Sequence, residues 1–203
     1  MSSKSLVLVA TFVGACLLAA CGKPAETPGA PGPAKAAAAP AAPAGVTKVA
    51  VTSTHGAWPT ADAPDFGSPK AVAYKDSSVG SASVVVVLAN YDFNAANRAE
   101  FSKRTSPEKG KARIELWLNR QKTVAPGETL AFVAGLYDAT KLQGQAETTS
   151  SAEIALPGGT SLQLSQPQGQ VEVTGVTAGS ITGKLELKDK WTRISGEFSA
   201  PLR

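Results

Sequence analysis

Short apolar runs separated by turn-forming residues characterise the chain from Val46 onward. Prolines and glycines punctuate these runs, for example at 126–127 and 157–159. Many short strands with this punctuation predict an antiparallel all-β domain, either a β-sandwich or a small β-barrel. The predicted strands are 46–53, 71–75, 83–93, 112–119, 129–137, 152–156, 161–164, 171–176, 181–187 and 191–200.

Alternation within the runs predicts which side chains face the core, because successive residues of a strand point to opposite faces. The segment 84–89 is apolar throughout, which favours a central strand covered on both sides. In 112–118 the predicted inward residues are Ala112, Ile114, Leu116 and Leu118, and the predicted outward residues are Arg113, Glu115 and Trp117. Trp117 is therefore expected to be exposed or to lie under a loop.

A C-terminal meander is predicted from a repeated pattern, in which 181–187 resembles 194–200 and both follow the strand at 171–176. A turn around 188–190 would bring Gly183 and Gly196 close together, permitting a bend or an aromatic ring packed over them. One short helix near 94–104 is also predicted, with Asn94 as its N-cap.

The first 20 residues have the layout of a signal peptide: Lys4 provides a positive start, an apolar stretch follows, and small residues precede Cys21. The apolar stretch is about 15 residues long, shorter than the roughly 20 needed to cross a bilayer as a helix. Of the two cysteines, Cys16 lies inside this segment and would be removed with it. Cys21 would then be the single cysteine of the mature chain, so no internal disulfide is expected.

The sequence Leu18-Ala19-Ala20-Cys21 resembles the lipobox of bacterial lipoproteins. The resemblance covers only these first 21 residues and implies a lipid thioether on Cys21, with cleavage before it. It makes the membrane a partner through that lipid. Gly22 stands where an Asp would resemble an inner-membrane retention signal, so the expected location is the outer membrane, facing the periplasm, or the cell membrane if the source is Gram-positive.

Residues 21–45 form the expected lipidated cysteine and a disordered linker, since the tract is almost entirely Ala, Pro and Gly. Fully extended, about 24 residues of such a linker reach on the order of 75 Å. The remaining residues, 46–203, have the size of one globular domain.

A basic cluster stands out in an otherwise weakly charged chain of formal net charge +4. Glu100, Glu108 and Glu115 are the acidic residues in its span. Its members are Arg98, Lys103, Arg104, Lys109, Lys111, Arg113, Arg120 and Lys122. Contact with an anionic lipid surface or an acidic envelope protein, centred on Arg98, Lys103, Arg104, Lys109 and Lys111, is one hypothesis. The alternative is a solvated loop and strand edge, and a nucleic-acid partner is not expected.

No catalytic, metal or cofactor motif is recognised, and no cofactor is expected. The single histidine, His55, is interpreted as a loop residue, since a zinc site there would need carboxylates such as Asp62 and Asp65. The aromatic residues are mostly expected in the core, and among them Trp58, which precedes Pro59 in a proline-rich loop, is the one most expected to line a groove instead.

The sequence thus predicts a non-catalytic, lipid-anchored envelope domain that acts by binding or scaffolding. One alternative is a small-molecule or lipid carrier with a barrel cavity. A carboxylate-dependent hydrolase is the other.

Overall fold

The computed structural model describes residues 45–96, 98 and 106–203. The predicted signal peptide, Cys21 and the linker up to residue 44 lie outside the described residues, as does most of the helix predicted near 94–104. The strands are β1 Lys48–Ser53, β2 Lys70–Ser78, β3 Ser81–Ala89, β4 Arg113–Gln121, β5 Gly135–Asp138, β6 Thr148–Ala155, β7 Ser161–Gln163, β8 Gln168–Val176, β9 Ser180–Lys188 and β10 Thr192–Pro201.

These strands form one sheet with the order β1-β10-β9-β8-β5-β6-β4-β3-β2, and β7 pairs with β6. The all-β prediction is confirmed. Pairing between the strands is antiparallel except for β5 with β6, which are parallel. The sheet curls into a partly closed barrel, and two backbone hydrogen bonds join the C-terminus to β2. The N–H of Arg203 donates to the carbonyl of Ala73 at 2.9 Å, and the N–H of Lys75 donates to the carbonyl of Arg203 at 3.2 Å.

The concave side of the sheet holds the core, a single cluster that draws on nearly every strand. In β4, Ile114, Leu116 and Leu118 are fully buried, as the alternation predicts. Full burial of each such side chain contributes about 1.5–3 kcal/mol. Trp58 also belongs to this cluster, so it does not have the groove-lining position expected of it.

The predicted C-terminal meander is confirmed as β8-β9-β10. Its register pairs Gly183 with Phe198 and Gly196 with Leu185, so the two glycines are diagonal neighbours and not direct partners. A Cβ on Gly183 would lie 2.6 Å from Cζ of Phe198, which shows that this ring packs over the glycine. Gly196, with φ of 147°, instead allows the close approach of β1, since its Cβ would lie 2.1 Å from the Lys48 carbonyl oxygen.

The strand predicted at 129–137 is wrong over most of its length, because β5 begins only at Gly135. Leu130 and Phe132 are nevertheless buried in the core, which explains their strand-like alternation. Side chains bind the carbonyl groups of this irregular segment: Arg120 donates to Ala131 at 2.7 Å and the Tyr137 hydroxyl donates to Val133 at 2.8 Å. The backbone here therefore needs no neighbouring strand to satisfy these acceptors.

Candidate functional site

The convex side of β2, β3, β4 and β6 carries a second layer of packing. Val72, Tyr74 and Val87 form a small buried cluster there, against which Phe93 and Ala95 pack. The Tyr74 hydroxyl donates to the carbonyl of Ala95 at 3.0 Å and ties the segment after β3 to the sheet. Asn90 secures the start of that segment, because its Oδ1 accepts from the N–H of Ala112 at 2.8 Å.

The register of the strands sets two neighbouring rows of side chains on this convex face. In one row Trp117 of β4 lies between Val85 of β3 and Ser151 of β6. In the other row Glu115 lies between Val87 and Glu153. The indole of Trp117 therefore lies in the row next to the paired carboxylates of Glu115 and Glu153.

Arg113 and Glu115 form an ion pair at this face, with the Nε of Arg113 donating to Oε1 of Glu115 at 2.7 Å. Their side chains are only 4% and 16% exposed. Arg113 also donates from Nη1 to the hydroxyl of Tyr91 at 3.4 Å. A charge pair so far removed from water is retained only when its members satisfy one another, since removal of one partner costs about 3–5 kcal/mol.

The pKa of Glu115 is raised above its ordinary value. Desolvation by burial is the largest cause, and the negative charge of Glu153 on the neighbouring strand adds to it. The guanidinium of Arg113 acts in the opposite direction without overcoming the burial. Glu115 therefore holds its proton to higher pH than a solvated glutamate.

A cavity of about 320 Å³ opens over these two rows, and we call it the outer-face cleft. Tyr74, Trp117 and the Arg113–Glu115 pair line its floor, and Glu153 and Arg98 also line it. Ser106 and the loop at 159–161 form a wall. That wall is fastened by the hydroxyl of Ser106, which accepts from the N–H of Gly159 at 2.8 Å and donates to the carbonyl of Leu156 at 3.3 Å.

The basic cluster is divided by the fold. Lys109 pairs with Asp62 at 2.9 Å, and Lys111 pairs with Glu108 at 2.6 Å. The Asp62 carboxylate raises the pKa of Lys109, and Lys111 lowers the pKa of Glu108.

The other members of the basic cluster lie in different surroundings. Arg113 is buried, and Arg120 pairs with Glu147 at 2.7 Å. Arg98 is exposed at the cleft, while Lys103 and Arg104 lie outside the described residues. The carboxylate partners offset part of the positive charge counted in the sequence, and the anionic-surface hypothesis stays a prediction.

His55 lies in the loop after β1, and its Nδ1 accepts a hydrogen bond from the N–H of Ala57 at 3.1 Å. Its ring meets Trp191 edge-on, with 5.6 Å between centroids. The carboxylates considered with it are otherwise engaged: Asp62 by Lys109 and Asp65 by the N–H of Gly67 at 2.9 Å. Within the part of the chain that the structure describes, no three His, Cys, Asp or Glu side chains are grouped as metal ligands would be.

Sequence reasoning identified Trp117 and Glu115 as outward residues of one strand but missed Glu153. The alternation in β6 contained a signal, since Ala152 and Ile154 are buried and Glu153 lies between them. Its position opposite Glu115 depends on the pairing of β4 with β6, which the sequence does not specify.

Comparison with known proteins leaves this geometry as the guide to function. No family model matches the chain. Neither a curated protein nor a solved structure matches it. Among residues 45–96, 98 and 106–203, no helix has the length and apolar character needed to cross a membrane.

Proposed function

We propose that this protein is a lipid-anchored binding protein of the bacterial cell envelope, without catalytic activity, whose ligand or partner occupies the outer-face cleft. The anchor is the lipid on Cys21, supported by the lipobox-like sequence that ends there. Two or more acyl chains hold a protein stably on a bilayer. The Ala/Pro/Gly-rich linker then lets the β-domain work away from the membrane to which the lipid fixes it.

The outer-face cleft is the observation that carries the binding role. It sets a half-buried indole, two carboxylates and two guanidinium groups around one cavity on the convex face. Sites for small ligands combine an apolar lining with a few convergent polar groups. The fold also holds a costly buried ion pair at this place, which gives the floor a fixed shape.

The carrier alternative is less favoured because large buried side chains occupy the concave side of the sheet. The largest fully buried side chains there include Tyr137, Leu88 and Ile154. A carrier of the barrel type needs an interior cavity for its cargo. Binding on the convex face is the arrangement compatible with a packed interior.

A hydrolase is the second candidate function, favoured by one observation. Glu115 and Glu153 face each other across β4 and β6 in a cavity, and the pKa of Glu115 is raised. Glycoside hydrolysis uses two such carboxylates, one protonated and one ionised. However, the 2.7 Å hydrogen bond from Arg113 occupies Glu115, which leaves this carboxyl poorly placed to donate a proton to a substrate.

Metabolic labelling with radioactive palmitate tests the anchor. The wild-type chain should incorporate label and fractionate with membranes, whereas Cys21→Ala should do neither. Cys16→Ala is the matched control and should keep the label, because Cys16 lies within the predicted signal peptide. The anchor proposal fails if the wild type takes up no palmitate while Cys21→Ala stays on the membrane.

Photocrosslinking in intact envelopes tests the binding surface. A photoreactive amino acid at Thr160, an exposed residue of the cleft wall, should give a discrete adduct. The same group at Lys184, on the exposed face of β9, is the control and should not give that adduct. Identical adducts from both positions would remove the cleft from the proposal.

A further inference from the structure

The outer-face cleft has an apolar side and a polar side. Tyr74 and Trp117 supply aromatic surface from β2 and β4. Glu115 and Glu153 supply carboxylate oxygens from the adjoining row. Such a division matches a ligand with one apolar face and one face rich in hydrogen-bonding groups.

Among the described residues that line the cleft, the formal charges balance. Arg98 and Arg113 line it together with Glu115 and Glu153, two cations with two anions. A ligand with a strong net charge gains attraction from one pair of groups and repulsion from the other pair. A neutral ligand that carries both donors and acceptors can pair with groups of either sign, because carboxylates only accept hydrogen bonds and guanidinium groups only donate them.

Two of the four charged groups are available to a ligand. Among the described residues neither Glu153 nor Arg98 has an ion-pair partner, and Glu153 is half-buried where Arg98 is exposed. Arg113 and Glu115 are committed to each other and form the fixed floor. The available groups are thus one acceptor in the interior of the cleft and one donor at its opening.

We propose that the outer-face cleft binds a neutral saccharide, with hydroxyl groups of a sugar ring held by Glu153 and Arg98 and an apolar C–H face of the ring packed against Trp117. The cavity of about 320 Å³ lies at the lower end of the volumes typical of small-molecule sites. This inference rests on the proposed binding function and names the class of its ligand. Each sugar hydroxyl both donates and accepts, which suits a site with an acceptor and a donor on different sides.

Calorimetric titration of the lipid-free Cys21→Ala chain with an uncharged N-acetylglucosamine trimer and with maltotriose tests the proposal. At least one trimer should bind and should change the tryptophan fluorescence. Trp117→Ala and Glu153→Gln should each weaken that binding by about tenfold, equivalent to roughly 1.4 kcal/mol. Arginine amide is titrated in parallel as a cationic probe.

Matched variants keep the result interpretable. Trp191→Ala removes an indole that is 41% exposed and lies outside the cleft, and Glu197→Gln neutralises a carboxylate on β10. Both should leave saccharide binding unchanged. Glu153→Gln keeps the side-chain shape, so it stays informative if Trp117→Ala unfolds more readily than the wild type.

Three outcomes overturn the proposal: no heat of binding with either trimer, binding of arginine amide in place of the saccharides, or saccharide binding that the two cleft variants leave intact. Failure here is separable from failure of the proposed function. If the chain is labelled by palmitate and crosslinked through Thr160 but binds no sugar, only the saccharide proposal fails. A chain that is not labelled loses its anchor whatever the titration shows.

Discussion

Gly183 gives the meander a packing contact that no other residue type allows. A Cβ at this position would lie 2.6 Å from the carbonyl oxygen of Glu172 as well as from Phe198. The ring can move by a rotamer change, but the carbonyl belongs to the backbone of β8 and cannot move alone. The sequence repeat that led to a prediction of aromatic packing over a glycine therefore had a steric basis.

Gly183→Ala should lower the free energy of unfolding by about 1–3 kcal/mol, since it overpacks a site without space for a methyl group. Urea denaturation monitored by fluorescence measures this change. Gly179→Ala is the matched control, because its Cβ would have no neighbour within 4 Å and should cost little. Equal stability of the two variants would contradict the packing argument.

Protonation of Glu115 makes the stability of the folded chain depend on pH. Burial raises its pKa in the folded chain, so between the unfolded and folded values the folded state binds the proton more strongly. The resulting stabilisation is fully present below the unfolded pKa of about 4.3 and is lost as pH rises through the folded pKa. The contribution of Glu115 is thus greatest in acid, the reverse of an ion-paired carboxylate at a protein surface.

Wild type and Glu115→Gln should therefore differ in stability in a pH-dependent way. The stability of the wild type relative to the variant should fall as pH rises from the unfolded value of about 4.3 through the raised folded pKa of Glu115, because glutamine does not titrate. Urea denaturation at several pH values gives both curves. Glu197→Gln, on the exposed face of β10, controls for the loss of a carboxylate, and an equal trend there would show that the effect does not come from burial.

The elements were more predictable in number than in extent or pairing. Each of the ten strands overlaps a predicted run, since short apolar runs between Pro and Gly carry that information locally. The strand prediction at 129–137 was mostly wrong because Leu130 and Phe132 alternate and are buried although their segment is irregular. Carbonyl groups of this segment accept hydrogen bonds from side chains in place of a neighbouring strand. No local sequence pattern predicted the parallel pairing of β5 with β6. Antiparallel neighbours can be joined by a tight turn that is visible in the sequence, whereas parallel strands need a longer crossover connection.

The two residues that follow β10, Leu202 and Arg203, close the curl onto β2. Deletion of Leu202 and Arg203 removes three backbone hydrogen bonds, from Arg203 to Ala73, from Lys75 to Arg203 and from Leu202 to Gly179, along with the contact of half-buried Leu202 with the core. At about 0.5–1.5 kcal/mol per hydrogen bond, the deletion should cost roughly 1.5–4.5 kcal/mol before the apolar contact is counted.

Native-state hydrogen exchange resolves this closure. The amide of Lys75 should lose protection in the deletion variant. Arg203→Ala is the control, because it retains the backbone groups and should keep that protection. Unchanged exchange at Lys75 after the deletion would mean that these bonds do not hold β2 in place.

At the scale of the whole molecule, the basic-surface hypothesis predicts a salt-dependent affinity for anionic membranes. In the lipid-free Cys21→Ala chain, Lys103→Glu, Arg104→Glu and Lys109→Glu together should weaken binding to phosphatidylglycerol vesicles. The expected loss is about 1 kcal/mol for each residue that contacts the surface. Because Lys109 already pairs with Asp62, we expect less than the full effect of three contacts.

Vesicle co-sedimentation measures that loss. Lys184→Glu together with Lys188→Glu on β9 provides the control for a change in net charge alone. Binding that the cluster variant leaves unchanged would refute the basic surface.

The sequence by itself determined the strand content, the inward faces of the strands and the expectation of a lipid on Cys21, because each depends on residues close together in the chain. Only the tertiary structure decided that one sheet curls on itself, that Glu153 faces Glu115, and that Trp117 and not Trp58 lines a cavity. The physical reason is register. A strand reveals its two faces through alternation, but its partners and their alignment arise from packing across the whole core.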